Sequence, residues 1–196
     1  MNSLTHVHNG EDVGVPNQKL AMWLFLSSEV VFFAVLISIY LFYKSAFHSL
    51  QITPSDIFDI PFTSVSSFIL LMSSLTMVLS QNHYEREDIS KTRIWIYTTG
   101  FLGLLFISGQ IYEYTIFINE GLTISSSIFG TAFYFVTGFH GLHVFIGIML
   151  LFVTGMQIHI EDTNSKFGLS LDSLALYWHC VDIVWIVIFT IIYLIP

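Results

Sequence analysis

The sequence predicts an all-α integral membrane protein, a bundle of five transmembrane helices with its N-terminus in the cytoplasm. Composition supports the membrane class. Of the 196 residues, 54% are hydrophobic and only 10% are charged, and the mean hydropathy is +0.73. The 19 phenylalanines would leave large apolar patches on a water-exposed domain of this size. Lipid is therefore the expected solvent around the chain.

Five apolar segments are long enough to cross a hydrocarbon core about 30 Å thick at about 1.5 Å per helical residue. They are Leu20–Tyr43, Phe62–Ser80, Ile94–Ile118, Ile128–Ile158 and Leu174–Ile195. The second segment is rich in serine and threonine, whose hydroxyls can bond carbonyls of their own helix. The fourth is longer than a perpendicular crossing requires, so we expect it to tilt or to project from the bilayer.

The remaining residues are short polar stretches. Residues 1–18 are expected to be a polar tail, without the basic start and short apolar run of a signal peptide. Residues 19–196 are expected to be a single transmembrane domain, because the connections between spans are too short for a second domain.

The distribution of cations predicts the orientation. With five alternating spans, one side of the membrane carries Lys19, Arg86, Lys91, Arg93 and Lys166, and the other carries Lys44 alone. Lysine and arginine near helix ends favour the cytoplasmic side. The N-terminus is therefore predicted to be cytoplasmic, and the fifth span is predicted to end on the opposite side.

Charge and cysteine content exclude several classes of function. A net charge of −8 with only six lysines and arginines provides no basic surface for nucleic acid. A single cysteine, Cys180, excludes an intrachain disulfide, a CxxC redox pair, a c-type haem attachment and a two-cysteine copper site.

Three acids lie inside apolar runs: Glu29, Glu113 and Asp182. A charged carboxylate facing lipid would cost about 2.5–3.5 kcal/mol or more, so each must be protonated or paired with a histidine or another chain. Glu29 has apolar neighbours on its helix, which leaves two interpretations. It is a proton-exchanging, carbodiimide-reactive carboxyl, or a protonated side chain that hydrogen-bonds a neighbouring helix.

Histidines raise the question of a metal site. His140 and His143 share one helix face, and His179 and Asp182 repeat the same spacing on the last span. Zinc needs four good ligands and no second cluster completes the set, whereas two of these histidines on different helices could bind a haem iron. The simpler hypothesis is that each imidazole hydrogen-bonds across a helix contact. A one-haem membrane cytochrome remains an alternative.

A small transporter is the other alternative. Transporters commonly build their sites from broken helices and repeated halves. Here all four prolines lie outside the spans or at their edges, and the sequence shows no internal repeat. These features argue against that class.

Four longer strings carry a family resemblance. They are WLFLSSEVVFF, SGQIYEYTIF, FGTAFYFVTGFHGLHVFIG and ALYWHCVDIVWIVIFTIIYL. In this order, from about Trp23 to Tyr193, the chain resembles subunit III of the haem–copper respiratory oxidases in its five-helix bacterial form. The second span and the loops contribute nothing to the resemblance.

This resemblance implies an accessory subunit of a proton-pumping terminal oxidase that reduces oxygen to water in the bacterial cell (inner) membrane. It implies that haem and copper are bound by partner subunits and none by this chain. Subunit I is the expected main partner, with subunits II and IV, phospholipid and a respiratory supercomplex as further associations. Cytochrome c is the expected electron donor; a quinol oxidase and a nitric oxide reductase-associated relative are the alternatives within the family.

The resemblance also assigns residues. Glu29 matches the carbodiimide-reactive, proton-related carboxyl of the family. The signature strings contain seven further residues that are expected at helix contacts: Glu113, His140, His143, Trp178, His179, Asp182 and Trp185. No catalytic residue and no metal ligand are implied for this chain.

Overall fold

The computed structural model describes residues 17–47, 60–121, 123–125, 128–158 and 165–195. Within these ranges the chain forms helices and no strand. The helices are α1 (Asn17–Phe47), α2 (Ile60–Glu85), α3 (Ile89–Asn119), α4 (Ile128–Gln157) and α5 (Ser165–Phe189), and α5 continues into a π-helical turn, Thr190–Leu194. All five are long and apolar enough to cross a membrane, which confirms the predicted fold class. Most of the predicted polar tail, residues 1–16, lies outside the described residues.

The fifth helix begins nine residues earlier than predicted, at Ser165 instead of Leu174. The prediction assigned this stretch to a polar loop because its residues are mixed in character. In the structure, Phe167 and Leu171 are buried at 6% and 1% exposure, while Asp172 on the same helix forms an ion pair with Lys19 of α1 at 2.7 Å. The segment is therefore an amphipathic helix whose apolar side packs on the bundle.

A tight connection joins α2 to α3. Glu87 has a left-handed backbone with φ of 60°, and the Asp88 side chain accepts a hydrogen bond from the Lys91 backbone at the start of α3. Hydrogen bonds from Lys91 hold the pKa of Asp88 below its usual range. The carboxylate therefore keeps its capping role at neutral pH and loses it only as the pH falls through that lowered pKa.

The helices form a bundle in which α5 packs against α1, α2 and α4, while α2 and α3 form a closely packed antiparallel hairpin. Helix α4 lies against α3 and α1, and α1 is the most exposed of the five. Because consecutive helices run in opposite directions, Lys19 and Lys91 lie at one end of the bundle and Lys44 lies at the other. Which end faces the cytoplasm stays a prediction.

Two buried tryptophans join α5 to the serine-rich helix α2. The indole N–H of Trp178 donates to Ser73 Oγ at 3.0 Å, and that of Trp185 donates to Ser67 Oγ at 2.8 Å. Each serine hydroxyl in turn donates to a carbonyl of its own helix. Every polar atom in these contacts therefore has a partner without water, as the hydrocarbon region requires.

The Trp178 ring also fills the space between α3 and α4. A Cβ added to Gly103 or to Gly147 would lie 2.8 Å from this ring, which is shorter than a normal contact. Both positions must therefore stay without a side chain for the helices to approach this closely.

We predict that Gly147→Ala destabilises the protein by about 1–3 kcal/mol, because the new methyl group overpacks the Trp178 site. Gly138→Ala on the same helix is the matched control, since its Cβ would come no closer than 3.9 Å to another group. SDS-induced unfolding of the detergent-solubilised protein measures both. Equal stability of the two variants would contradict the proposed packing.

Candidate functional site

An acid and a base from different helices meet inside the bundle. Glu29 Oε2 on α1 lies 2.9 Å from His143 Nε2 on α4, although the two residues are 114 positions apart in the chain. Their side chains are only 20% and 15% exposed. The sequence left protonation, a histidine or another chain as ways to neutralise Glu29; the structure places His143 beside it.

The second ring nitrogen of His143 fixes the proton count of this pair. Nδ1 lies 2.7 Å from the carbonyl oxygen of Phe139, which can only accept, so Nδ1 carries a proton. A further proton must then lie between Nε2 and the carboxyl of Glu29. Whether it sits on the acid or on the imidazole, the pair carries no net charge, which removes the cost of an isolated carboxylate in the membrane.

Aromatic groups enclose the Glu29–His143 pair. The rings of Phe33 and Phe32 lie 5.2 Å and 6.4 Å from the His143 ring, and the Tyr177 hydroxyl donates to the His143 carbonyl at 2.9 Å. Such surroundings strengthen the electrostatic attraction within the pair, because little water can screen it.

An open groove of about 630 Å³ lies next to His143, between α1, α4 and α5. Its lining is mainly apolar and includes Phe25, Leu150 and Leu174, with Ser173 among the few polar groups. A hydrocarbon chain suits this lining better than a polar ligand does.

His140 has surroundings different from those expected. It is fully buried, its ring stacks on Trp185 at 4.8 Å, and Phe106 and Phe33 approach it edge-on. Neither ring nitrogen has a hydrogen-bond partner among the described residues, so the expected hydrogen bond across a helix contact is wrong for this residue. Ring contacts hold it at the junction of α1, α3, α4 and α5 instead.

His179 and Asp182 face the serine-rich helix. His179 Nδ1 lies 2.6 Å from Ser74 Oγ on α2, and the buried carboxyl of Asp182 lies near the same hydroxyl, with its Oδ1 unpaired among the described residues. The i,i+3 spacing that suggested ligands on one face therefore turns both side chains toward α2.

Glu113 ties α3 to α2. Its carboxyl is 4% exposed and accepts a hydrogen bond from the Thr63 hydroxyl. One turn away, the Gln110 amide donates to the Thr137 carbonyl at 3.1 Å and the Tyr114 hydroxyl donates to Thr137 Oγ1 at 2.8 Å, which connects α3 to α4. The string around Glu113 thus serves contacts with two neighbouring helices.

These side chains do not converge on a common point. Across the part of the chain that the structure describes, no three histidine, cysteine, aspartate or glutamate side chains come together in a way that could hold a metal ion. His143 uses both ring nitrogens within the bundle, and His179 uses Nδ1.

Comparison with known proteins identifies the family. The family model described as cytochrome c oxidase subunit III matches residues 9–195. The chain belongs to this family. The strings that resemble this family also contain the residues that form the polar contacts inside the bundle.

The relatives are named as subunits of oxidases that use different electron donors. The chain is 36% identical over 184 residues to the cytochrome c oxidase subunit 3 of Bacillus sp. (strain PS3), covering 91% of this chain and 86% of the relative. It is 33% identical over 181 residues to the quinol oxidase subunit 3 of Bacillus subtilis (strain 168), covering 89% and 85%. It is 34% identical over 191 residues to the cytochrome bo(3) ubiquinol oxidase subunit 3 of Pseudomonas aeruginosa, covering 96% and 90%.

The second span supplies the partners that sequence reasoning missed. Ser67, Ser73, Ser74 and Thr63 contact Trp185, Trp178, His179 and Glu113 respectively. A signal was present, because Ser66, Ser73 and Ser80 are seven residues apart, as are Ser67 and Ser74. Such spacing indicates a polar stripe along one helix face.

We predict that Glu29 and His143 are energetically coupled by about 1–3 kcal/mol, because each single variant leaves its partner unpaired in apolar surroundings. The variants are Glu29→Leu, His143→Phe and the double variant, compared by SDS-induced unfolding. Ser28→Ala, which removes an exposed hydroxyl on α1, should be additive with His143→Phe. Additive effects of Glu29→Leu and His143→Phe would show that the pair contributes nothing as a unit.

Proposed function

We propose that the chain is the accessory third subunit of a proton-pumping terminal oxidase that receives electrons from cytochrome c. The match to the family over residues 9–195 carries this proposal. In this role the chain covers a flank of subunit I in the bacterial inner membrane, with subunits II and IV and a respiratory supercomplex as further neighbours. Its family-signature residues hold its own bundle together.

The contacts of the histidine side chains support a subunit that binds no haem or copper of its own. Both ring nitrogens of His143 have partners within the bundle, and His140 is enclosed by Trp185, Phe106 and Phe33. A pair of axial haem ligands would need free nitrogens that face one open space between two helices, whereas His140 is fully buried against Trp185. In this proposal, electron transfer and oxygen chemistry belong to the partner subunits.

The groove beside His143 supports a role in holding phospholipid. It has room for an acyl chain, its walls are mainly apolar, and Ala21 and Met22 on its α1 side lie within one turn of Lys19. A lysine near the membrane surface can attract an anionic headgroup.

The Glu29–His143 pair supports a role in the supply of protons. It already shares one proton, and a second would convert it to a neutral acid beside an imidazolium ion. An acid and an imidazole joined by one hydrogen bond beside an open groove are suited to passing a proton near the uptake side of subunit I.

A quinol donor is the second candidate, because relatives that are 33% and 34% identical are named quinol and ubiquinol oxidase subunits. The donor site belongs to other subunits, so the described residues of this chain carry no feature that distinguishes the two.

We predict that the tagged chain co-purifies in mild detergent with a haem-bearing subunit I and with a subunit II that carries a two-cysteine copper centre. A subunit II without that centre would identify the quinol oxidase instead. Recovery of the chain free of any oxidase subunit would contradict the proposed function. Iron or copper that stays stoichiometrically on the chain after the subunits are separated would contradict its accessory role.

We predict that Glu29 reacts with a hydrophobic carbodiimide in the assembled oxidase and that Glu29→Ala leaves the haem spectra unchanged but shortens the active lifetime or slows proton uptake. Glu29→Gln should be milder, because its amide can still donate to His143. Initial rate, proton-to-electron ratio and activity lifetime are measured for both, with Glu120→Gln, an exposed acid at the end of α3, as the control. Unchanged values for both Glu29 variants would reduce Glu29 to a structural role.

A further inference from the structure

The initial segment of α1, residues 17–25, is only loosely packed on the bundle. None of its described side chains is fully buried, and Trp23 and Leu24 are 56% and 66% exposed. From the next residue onward, buried side chains recur every seven positions, with Leu26, Phe33 and Tyr40 at 7%, 4% and 1% exposure. The helix is therefore anchored along its later turns and weakly held at its start.

The groove beside His143 separates this segment from the other helices. Ala21, Met22 and Phe25 form its α1 wall, while its α4 and α5 walls include His143 and Tyr177. A space of about 630 Å³ thus lies where close packing would otherwise hold the segment. A segment with few buried apolar contacts opens locally at a low cost in free energy.

An ion pair joins the segment to α5. Lys19 Nζ lies 2.7 Å from Asp172 Oδ2, and the Gln81 amide of α2 donates to the other carboxylate oxygen of Asp172 at 3.3 Å. Asp172 is therefore fixed by the bundle, whereas Lys19 moves with α1. The two paired side chains are 34% and 40% exposed, so salt weakens their attraction and the pair separates at low cost.

Two consecutive serines lie where the initial segment meets the anchored turns. Ser27 Oγ donates to the Trp23 carbonyl at 2.8 Å, and Ser28 Oγ donates to the Phe25 carbonyl at 2.7 Å. Hydroxyls that bond carbonyls of their own helix weaken its regular hydrogen bonds and often bend it. This junction is therefore the place where α1 bends most easily.

We propose that residues 17–25 form a hinged gate at the groove, with the Lys19–Asp172 ion pair as its latch and the junction at Ser27 as its hinge. In the latched state the rings of Phe25 and Tyr177 lie 6.3 Å apart beside His143. Opening separates these rings and widens the path from the groove to the Glu29–His143 pair. The proposal deepens the proposed function, because it adds control of access to that pair.

Spin-label distances in the assembled oxidase test the motion. In a Cys180→Ala background, labels at Leu24 and at Ile94 of α3 report the position of the segment, because both sites are well exposed. Labels at Ile39 and Ile118 report the anchored half of α1 as the control.

We expect Asp172→Asn to increase the population with the segment displaced about two- to fivefold, as loss of an exposed ion pair implies. The charge exchange Lys19→Asp with Asp172→Lys should restore the wild-type distribution, and the control distance should stay the same throughout. Identical distributions for wild type and Asp172→Asn overturn the latch.

A further substitution tests the hinge. In the Asp172→Asn background, Ser27→Ala should return the displaced population toward the wild-type level, because it removes the hydroxyl that competes for the Trp23 carbonyl. Ser38→Ala is the matched control, since Ser38 donates to the Ala34 carbonyl within the anchored half. Equal effects of the two substitutions overturn the assignment of the hinge.

Carbodiimide labelling of Glu29 tests the control of access. If the reagent reaches the pair when the gate is open, the labelling rate follows the open population. Asp172→Asn should then label Glu29 about two- to fivefold faster than wild type, and the charge exchange should restore the rate. Mass spectrometry of the Glu29 peptide measures the rate, and Glu113, which is 4% exposed, is the internal control.

The outcomes separate the gate from the proposed function. An unchanged labelling rate of Glu29 in Asp172→Asn overturns the control of access. Absence of Glu29 labelling in wild type and in every variant contradicts the proposed role of Glu29, while the spin-label distances still decide whether the segment moves.

Discussion

In the hydrocarbon region of a membrane an unpartnered polar atom is costly, and several contacts between helices of this bundle supply partners for polar atoms. Glu29 on α1 meets His143 on α4, Glu113 on α3 meets Thr63 on α2, and two tryptophans on α5 donate to serines on α2. Each pair connects two different helices. Satisfying the polar atoms therefore also selects which helices are neighbours and which faces they present.

Packing acts on the same contacts. Helix α5 packs against three other helices, and its Trp178 reaches both α2, through Ser73, and the glycines of α3 and α4. The ring that donates to Ser73 occupies the space that a side chain at Gly103 or Gly147 would need. Hydrogen bonding and close approach therefore depend on each other, as expected where no hydrophobic effect drives helices together.

An accessory role agrees with this division of polar groups. The family-signature residues are used mainly inside the chain, where they stabilise a scaffold. The Glu29–His143 pair is an exception, because it adjoins an open groove. The proposed functions that involve lipid and protons are assigned to this place.

The sequence alone determined the membrane class, the five spans and the family, because these depend on composition, on segment length and on long specific strings. It misplaced the start of α5, since an amphipathic helix that pairs Asp172 with Lys19 resembles a polar loop until its neighbours are known. It also left three ways to neutralise Glu29, which were protonation, pairing with a histidine and pairing with another chain.

Only the tertiary structure chose among those partners, because the choice of His143 depends on how α1 crosses α4. The serines of the second span had no assigned roles for the same reason. A serine can be recognised as the acceptor of a tryptophan N–H only when the relative rotation of α2 and α5 is known. His140 shows the limit most clearly. Its position on a helix face was readable from spacing, whereas its enclosure by three aromatic rings from three other helices was decided by packing.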